Sequence, residues 1–474
     1  MMKNVYLASA LALVVLAGSA VQAEEREITT VDPSSLLKYE LTEEGSMSVD
    51  QRISFMYDSL VVSDDDKDAF LSVKGDKIVE DLTNVNYLGG NLYVVSTPYE
   101  DEDVNTTGLV TADGEILIPC EAASIKKPAN RDDGIRFLEI IYTTETTDNE
   151  DECFIYFTDS MISWYIGEDD VMYKGYARIY DTKLEQFVDD LEFTTPNRYG
   201  FYDLGDSFAY EEGNITTIYD ADGKELWQSS EFIEGVTYNA LAVSSNGKHY
   251  IVNASGKDSY VSSGSLDDCI PALNYFKTYD SETSAYQAID MEGNPVLEGT
   301  YSTIYASFNN NFHVIPDRDS KEELAVASDG TVIAEDVNYF NNIIGGYGYI
   351  KLNDDETYLL ATPSGVYDGL QVGTASELFF GKNGDPVILN TGKTIDFGDE
   401  VADGDTLAPG LLKIEKSSPN GSYYGLYDLF TGEELLPAEY DRIEMAGEYI
   451  LAGTTDSTGN YTWNVYHTKV VTAD

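Results

Sequence analysis

A glycine in a turn-forming context recurs through this chain, at Lys74-Gly75, Asp113-Gly114, Asp222-Gly223, Ser255-Gly256, Glu292-Gly293, Asp329-Gly330, Ser364-Gly365 and Thr431-Gly432. Successive glycines lie 39, 109, 33, 37, 37, 35 and 67 residues apart. The two long intervals are close to three and two units of about 36 residues, so one period runs through most of the sequence. Its flanks repeat as well. Four residues before the glycine stands Leu71, Val110, Tyr219, Val252, Ile289 or Val326, and three residues after it Ile78, Leu117, Leu226, Val296, Ile333 or Leu435. The Gly256 unit departs from the second rule with Ser259. Apolar strand, tight turn, apolar strand is a β-hairpin, because glycine accepts the positive φ that such turns require.

A further apolar and aromatic segment follows in several units, as in Phe312-His313-Val314-Ile315 and Tyr449-Ile450-Leu451-Ala452. Each unit therefore offers three or four short strands. Such a unit cannot bury its own apolar face and must stack on its neighbours. Two arrangements dispose of the open edges: a ring of blades, or an open solenoid with capped ends. The expectation is an all-β repeat fold, with a β-propeller of about seven to nine blades favoured over an open β-solenoid or two smaller β domains. That count merges the eroded stretches 150–210 and 365–420 into larger blades. The alternating segment Tyr461–Tyr466 follows the last repeat and is expected to complete the first blade and latch a ring.

The best-formed unit runs Tyr424-Gly425-Leu426-Tyr427-Asp428, then Gly432, Leu435-Leu436-Pro437 and Tyr440-Asp441-Arg442-Ile443. It resembles one bacterial WG β-repeat, whose pattern is Trp-Gly-Leu-Ile-Asp, a turn, an apolar pair with Pro, and Tyr-Asp before an Ile. A second copy is Thr107-Gly108-Leu109-Val110, Asp113-Gly114, Leu117-Ile118-Pro119 and Ile125. Tyr424 and Thr107 stand where that family has its signature Trp. The resemblance implies a repeat architecture and no shared catalytic site.

The N-terminus carries a different signal. Lys3 precedes an apolar run from Val5 to Ala17, and small residues lead to Val21-Gln22-Ala23, after which the chain turns acidic at Glu24. The run is shorter than the ~20 residues that span a bilayer. A positive start, a short apolar core and a small-residue exit read as a secretory signal peptide cleaved between Ala23 and Glu24. The resulting organisation is a signal peptide over 1–23, an acidic lead over 24–66, the repeat over 67–453, and a closing strand with tail over 454–474. In the lead, Ser48-Val49-Asp50-Gln51 has capping-box spacing before Ile53, Met56 and Leu60, which allows a short helix, with a strand the close alternative. The expected location is secreted, either extracellular or periplasmic, and without membrane embedding.

Charge narrows the partners. The chain of 474 residues carries 85 acidic and 28 basic side chains, a net charge of −57. Such a surface repels phosphate backbones, so nucleic acid is not an expected partner. The acidic residues are spread along the whole sequence and mark no site. Tyr is abundant at 36 residues and suits strands with one wet face.

Residue types that carry chemistry are sparse. His249, His313 and His467 fall in separate units without paired metal-ligand spacing. The cysteines are Cys120, Cys153 and Cys269; one bridge, Cys120–Cys153, is conceivable, and a buried apolar role is expected for each. Asp64, Asp66 and Asp68, and Asp220 with Asp222, have the alternate spacing of a calcium loop, but at its twelfth position the first has Gly75 in place of Glu, and the second, with Glu231 there, is already explained by the repeat turn. No catalytic residue or cofactor is assigned, and calcium is the one metal the pattern leaves open. The expected function is a protein- or glycan-binding interaction module; the alternative is an extracellular polysaccharide-acting hydrolase on a propeller scaffold.

Overall fold

The computed structural model describes residues 36–473, apart from 50–52, 57–58, 65–66, 99–104, 132–133, 150–151, 158–170, 190, 195–199, 306–310, 321, 345–346, 354–357, 363–364, 373–378, 381–385, 396, 398–400, 420 and 458. The signal segment, with Ala23 and Glu24, lies outside the described residues. Within them the chain forms strands and no α-helix.

The strands make ten small antiparallel sheets, taken here as blades 1 to 10. Blades 1 to 9 span 53–80, 84–122, 124–187, 201–229, 232–262, 266–289, 303–334, 337–380 and 401–440. Blade 10 joins three strands from 442–472 to the strand Leu37–Val49. The propeller expected from the repeat is the fold observed. Its described sheets number ten rather than seven to nine.

Stacking explains why the second strand of a blade is a continuous apolar run rather than an alternating one. In blade 5, Leu241 and Val243 pack with Leu204, Ala209 and Ile218 of blade 4. Ala240 and Ala242, on the other face of the same strand, pack with Leu266, Phe276 and Ile289 of blade 6. Alternate side chains thus enter two different cores, so no position on that strand is left to be polar. Full burial of each large apolar side chain is worth about 1.5–3 kcal/mol. First strands of neighbouring blades touch, as Phe232–Val236 does Leu266–Ile270, which places them near the axis. Fourth strands are half-exposed and form the rim.

The circuit of shared cores closes. Leu37–Val49 pairs with Tyr461–Thr472 from Leu37 opposite Thr472 to Val49 opposite Tyr461, with one bulge between Glu43 and Gly45. On one face of this composite sheet Met47, Leu451, Trp463 and Val465 pack with Leu60, Val61 and Phe70 of blade 1 and Val95 of blade 2. On the other, Tyr39, Ile443 and Ile450 pack with Leu412, Ile414 and Leu426 of blade 9. The hydroxyl of Tyr93 in blade 2 donates to the carbonyl of Ala446 at 3.0 Å.

Closure runs in the opposite sense to the one expected. The C-terminal strand does not complete the first blade; the N-terminal strand completes the last. The described part of the lead expected over 24–66 is accordingly not separate, since 37–49 belong to blade 10 and Ile53–Met56 and Ser59–Asp64 open blade 1, while 24–35 lie outside the described residues. The helix allowed at 53–60 is replaced by these two strands. Leu60, Val61 and Val62 are buried in succession, which a helix with one apolar stripe cannot achieve.

Apart from Gly293, whose blade has no fourth strand, and Gly365, which begins one, each turn glycine sits between the third and fourth strands of its blade. In six turns the glycine N–H donates to the carbonyl three residues back, at Ser72, Thr111, Asp220, Asn253, Asp290 and Ala327. In five, the side chain of that same residue accepts the N–H just after the glycine, as Asp290 Oδ1 does from Asn294 at 2.8 Å. The glycine also presses on the preceding blade. A Cβ on Gly256 (φ +74°) would stand 2.7 Å from the Leu226 carbonyl oxygen, and one on Gly293 (φ +85°) 2.2 Å from the Tyr260 ring. Positive φ and blade-to-blade contact together account for the period.

The two long intervals have different explanations. Between Gly114 and Gly223 lies one enlarged blade 3, whose strands Phe137–Thr147 and Val171–Asp181 each run 11 residues. Its turn places Glu185, at φ +53°, where the other blades have glycine. Between Gly365 and Gly432 a lone hairpin survives, held by a bridge from Val387 to Thr394. Its Gly392 (φ +66°) abuts the Tyr367 ring of blade 8, and Gly432 abuts Ile388 of the hairpin. Among the described residues, the eroded unit expected there is reduced to this single turn.

Candidate binding groove

Two concavities stand out among the described residues. The larger, about 410 Å³, lies near the axis against the first strands of blades 4, 5 and 6. It is lined by Asn130, Arg131, Tyr202, Glu234 and Asp268, among others. Its polar groups are engaged by the fold. The Asn130 amide donates to the carbonyls of Asp203 and Thr237 at 2.8 and 3.0 Å and accepts from the Asp203 N–H. Arg131 donates to the carbonyls of Asp203 and Tyr238 at 3.1 and 2.7 Å, with its guanidinium 4.4 Å from the Tyr238 ring centroid. The long connection of blade 3 thereby straps blades 4 and 5. Glu234 meets Nδ1 of His249 at 2.8 Å and accepts the N–H of Leu266, joining blade 5 to blade 6. Burial, with Asp267 alongside, holds the Asp268 carboxyl above its ordinary value.

The smaller concavity, about 270 Å³, is a groove between blades 6 and 7 lined by Asp267, Lys277, Tyr279, Tyr286, Ser302, Thr303, Ile304 and Arg318. It exists because blade 6 has three strands instead of four. Where the fourth should run, the chain touches the third only at the bridges Ile289–Pro295 and Tyr286–Tyr301. The Pro295 bridge is closed by bonds from Asp290 N–H to the Asn294 carbonyl and from Val296 N–H to the Ala288 carbonyl; beyond it the chain leaves the ladder, with Gly299 at φ +98°. Lys277 pairs with Asp267 at 3.1 Å, and the exposed Arg318 donates to the Tyr279 hydroxyl at 3.3 Å. The Tyr279 and Tyr286 rings lie across the strand pair, 5.0 Å apart between centroids and tilted by 52°. Unlike the axial cavity, this groove carries aromatic and charged groups turned to solvent.

The residues singled out in the sequence are placed as follows. Gly75, Gly114, Gly223, Gly256, Gly293, Gly330 and Gly432 occupy equivalent turns in successive blades and are scaffold, not site. Gly365 opens the fourth strand of blade 8 opposite Thr362. Cys120 and Cys269 are free thiols, so the conceivable Cys120–Cys153 bridge does not form. Cys120 lies over Gly108, where an added Cβ would stand 2.9 Å from its Sγ, and burial raises its thiol pKa. The three histidines do not meet; each faces a glutamate in its own blade, His249 with Glu234, His313 with Glu323 and His467 with Glu448. Asp220 accepts the N–H groups of Asp222 and Lys224 and so serves its turn. No cluster of three metal-ligating side chains occurs among the described residues.

Sequence reasoning missed the groove. Lys277, Tyr279 and Tyr286 belong to one blade and Arg318 to the next, about forty positions apart from the first of them. The available signal was Asn294-Pro295 and Gly299, in a stretch where other repeats place a strand.

No family model matches the chain, and a search of curated proteins finds no match. Among solved structures, the chain is similar to one described as the crystal structure of the eukaryotic initiation factor, with a TM-score of 0.40 at 11% identity, covering 85% of this chain and 96% of that one. A crystal structure of Kluyvelomyces marxianus Hsv2 matches with a TM-score of 0.28 at 9% identity, covering 59% of this chain and 91% of the other. A crystal structure of the Mitotic Checkpoint Complex matches with a TM-score of 0.26 at 11% identity, covering 75% and 97%. The architecture rests on the strand pairing itself and not on likenesses at this level.

Proposed function

We propose that this protein is an exported binding module that engages an extracellular protein or glycan through its loops and interblade groove. The observation that carries the reading is the contrast between the two concavities. In the larger, side chains are consumed in holding blades together; in the smaller, tyrosines and opposite charges are offered to solvent on a closed, rigid ring. Rigid scaffolds with variable connections are suited to recognition. No helix of the described residues is long and apolar enough to cross a membrane. The repeat is read as similar to the WG β-repeat, with Gly108 and Gly425 each lying where a Cβ would meet the backbone of the fourth strand at 2.8–3.0 Å.

The alternative of a polysaccharide hydrolase draws on Glu234 and Asp268, two carboxylates in one cavity, of which Asp268 is held above its ordinary value by burial. One experiment separates the two readings. The mature chain is immobilised for binding to a panel of glycans and extracellular proteins, and the same glycans are assayed for released reducing ends. Binding without release supports the module. Release that Asp268→Asn abolishes replaces it with the hydrolase. For export, expression in a bacterial host with intact secretion should yield a chain whose N-terminal residue by mass spectrometry is Glu24; an uncleaved chain retained inside the cell overturns that part.

A further inference from the structure

We infer that the groove between blades 6 and 7 binds a single acidic sugar ring, a hexuronate within an otherwise uncharged glycan. This rests on the binding-module reading and names its ligand. Local charge in the groove favours an anion. Across the whole chain acidic residues outnumber basic ones 85 to 28, yet the groove brings two cations, Lys277 and Arg318, against one carboxylate, Asp267. Lys277 answers Asp267 at 3.1 Å, which leaves the exposed guanidinium of Arg318 with a neutral hydroxyl, that of Tyr279, as its partner among the described residues. A guanidinium held at one edge by a tyrosine presents its remaining N–H groups as a fork, and a carboxylate fits that fork with two parallel hydrogen bonds.

The shape of the groove fits a sugar ring. Tyr279 and Tyr286 stand side by side on adjacent strands and give an amphipathic wall, onto which the C–H face of a pyranose packs while its hydroxyls remain wet. Asp267 accepts from sugar hydroxyls, and Thr303, another lining residue, offers a hydroxyl of its own. A volume of about 270 Å³ lies just below the usual 300–1,000 Å³ of small-molecule pockets, which suits one ring rather than an extended ligand.

The surrounding field limits how much negative charge the ligand can carry. A chain of net charge −57 repels a polyanion as it approaches, so an acidic peptide or a fully charged polyuronate is disfavoured over one isolated carboxylate.

The test uses the full mature chain and saturation-transfer NMR titrations with methyl glucuronide, methyl glucoside and a hexaglutamate peptide. The expected result is glucuronide binding at least about tenfold tighter than glucoside, the scale of one charge-assisted hydrogen bond or more. Arg318→Gln should bring the glucuronide down to the glucoside level, and Arg318→Lys should recover part of the loss. Arg318 is an exposed loop residue, so both variants should melt with the parent. Equal binding of glucuronide and glucoside overturns the assignment, as does hexaglutamate binding at least as tightly as glucuronide, or an Arg318→Gln variant that binds glucuronide undiminished. A protein that ignores all three probes but captures a different partner in the panel above loses this inference and keeps its role as a module; one that captures nothing loses both.

Discussion

Blades 3 and 10 both lack the turn glycine that marks the other eight, and they lack it for opposite reasons. Blade 3 is complete within its own stretch of chain but overgrown. Its second and third strands run 11 residues each, and its outer edge is patched from Ile155–Phe157, Gln186–Phe187 and the bridge from Phe193 to Ala177. Blade 10 has longer strands still, 13 residues over Leu37–Val49 and 12 over Tyr461–Thr472, but it has no turn at that place, because its fourth strand comes from the other end of the molecule. One missing glycine thus records local growth and the other records ring closure. Spacing alone does not separate them; pairing does.

The comparison is broken most severely by removing the strand that only blade 10 borrows. A chain begun at residue 51 loses Tyr39 and Met47 from two cores and leaves Tyr461–Thr472 as an open edge. The expected loss exceeds about 5 kcal/mol, the range reserved for severe lesions. Thermal melts should show an early or uncooperative transition, and a chain that melts with the parent would show that closure is unimportant.

Blade 3 should be most sensitive at its ion pair. Arg136 donates from Nε and Nη2 to Asp181, which is 1% exposed, at 3.1 and 2.9 Å. Arg136→Ala leaves that buried carboxylate without a counter-ion, held among the described residues only by the N–H groups of Lys183 and Leu184, at a cost of about 3–5 kcal/mol in denaturant titration. A regular blade supplies the reference. Gly256→Ala must both adopt a positive φ and displace the Leu226 backbone, for about 2–4 kcal/mol. By contrast, Gly213→Ala, which meets nothing within 4 Å at φ +66°, bears only the backbone term of about 1–2 kcal/mol.

Glu139 gives blade 3 a pH signature. Its carboxyl, 3% exposed, accepts from the Tyr210 hydroxyl at 2.7 Å. Burial raises its pKa against the opposing influence of Lys126 and Tyr210. The folded value lies above the unfolded one, so the stabilising contribution is complete below the unfolded value, near 4.5, and is lost as pH rises through the folded value. Glu139→Gln removes this dependence. Its melting temperature should match the parent at about pH 4 and exceed it increasingly toward pH 8. A constant offset at all pH values would refute the account. The smallest effect belongs to the missing glycine itself. Glu185→Gly relieves a non-glycine residue at φ +53°, for a gain of up to about 1 kcal/mol.

Much of the scaffold was legible in the sequence because its cause is local. The turn needs a glycine, a polar acceptor three residues earlier and an apolar flank, and all three lie within a few positions. The glycine and the flank were read. The acceptor, standing in plain view as Ser72, Thr111, Asp220, Asn253 and Asp290, was not, nor was the remnant turn at Gly392. What depends on distant segments left no such trace. Nothing near Leu37–Val49 announces a partner at Tyr461–Thr472, so those residues read as a lead rather than as the edge of the last blade. The groove is harder still, since it arises from a fourth strand that is missing after Pro295 and from side chains of two blades.

Borrowing one strand from the far end also sets a timetable. Leu37–Val49 is among the first parts of the folded body to be synthesised, and Tyr461–Thr472 is the last. At roughly 5–20 residues per second, the first strand waits on the order of tens of seconds for its partner. Throughout that interval it is an unpaired edge carrying Tyr39 and Met47, the kind of segment that recruits other chains. Loop-closure entropy grows only slowly with length, so the delay is imposed by the order of synthesis more than by the search. The step that completes the ring is therefore the last available to the nascent chain, and the interval before it is when the protein is most exposed to aggregation.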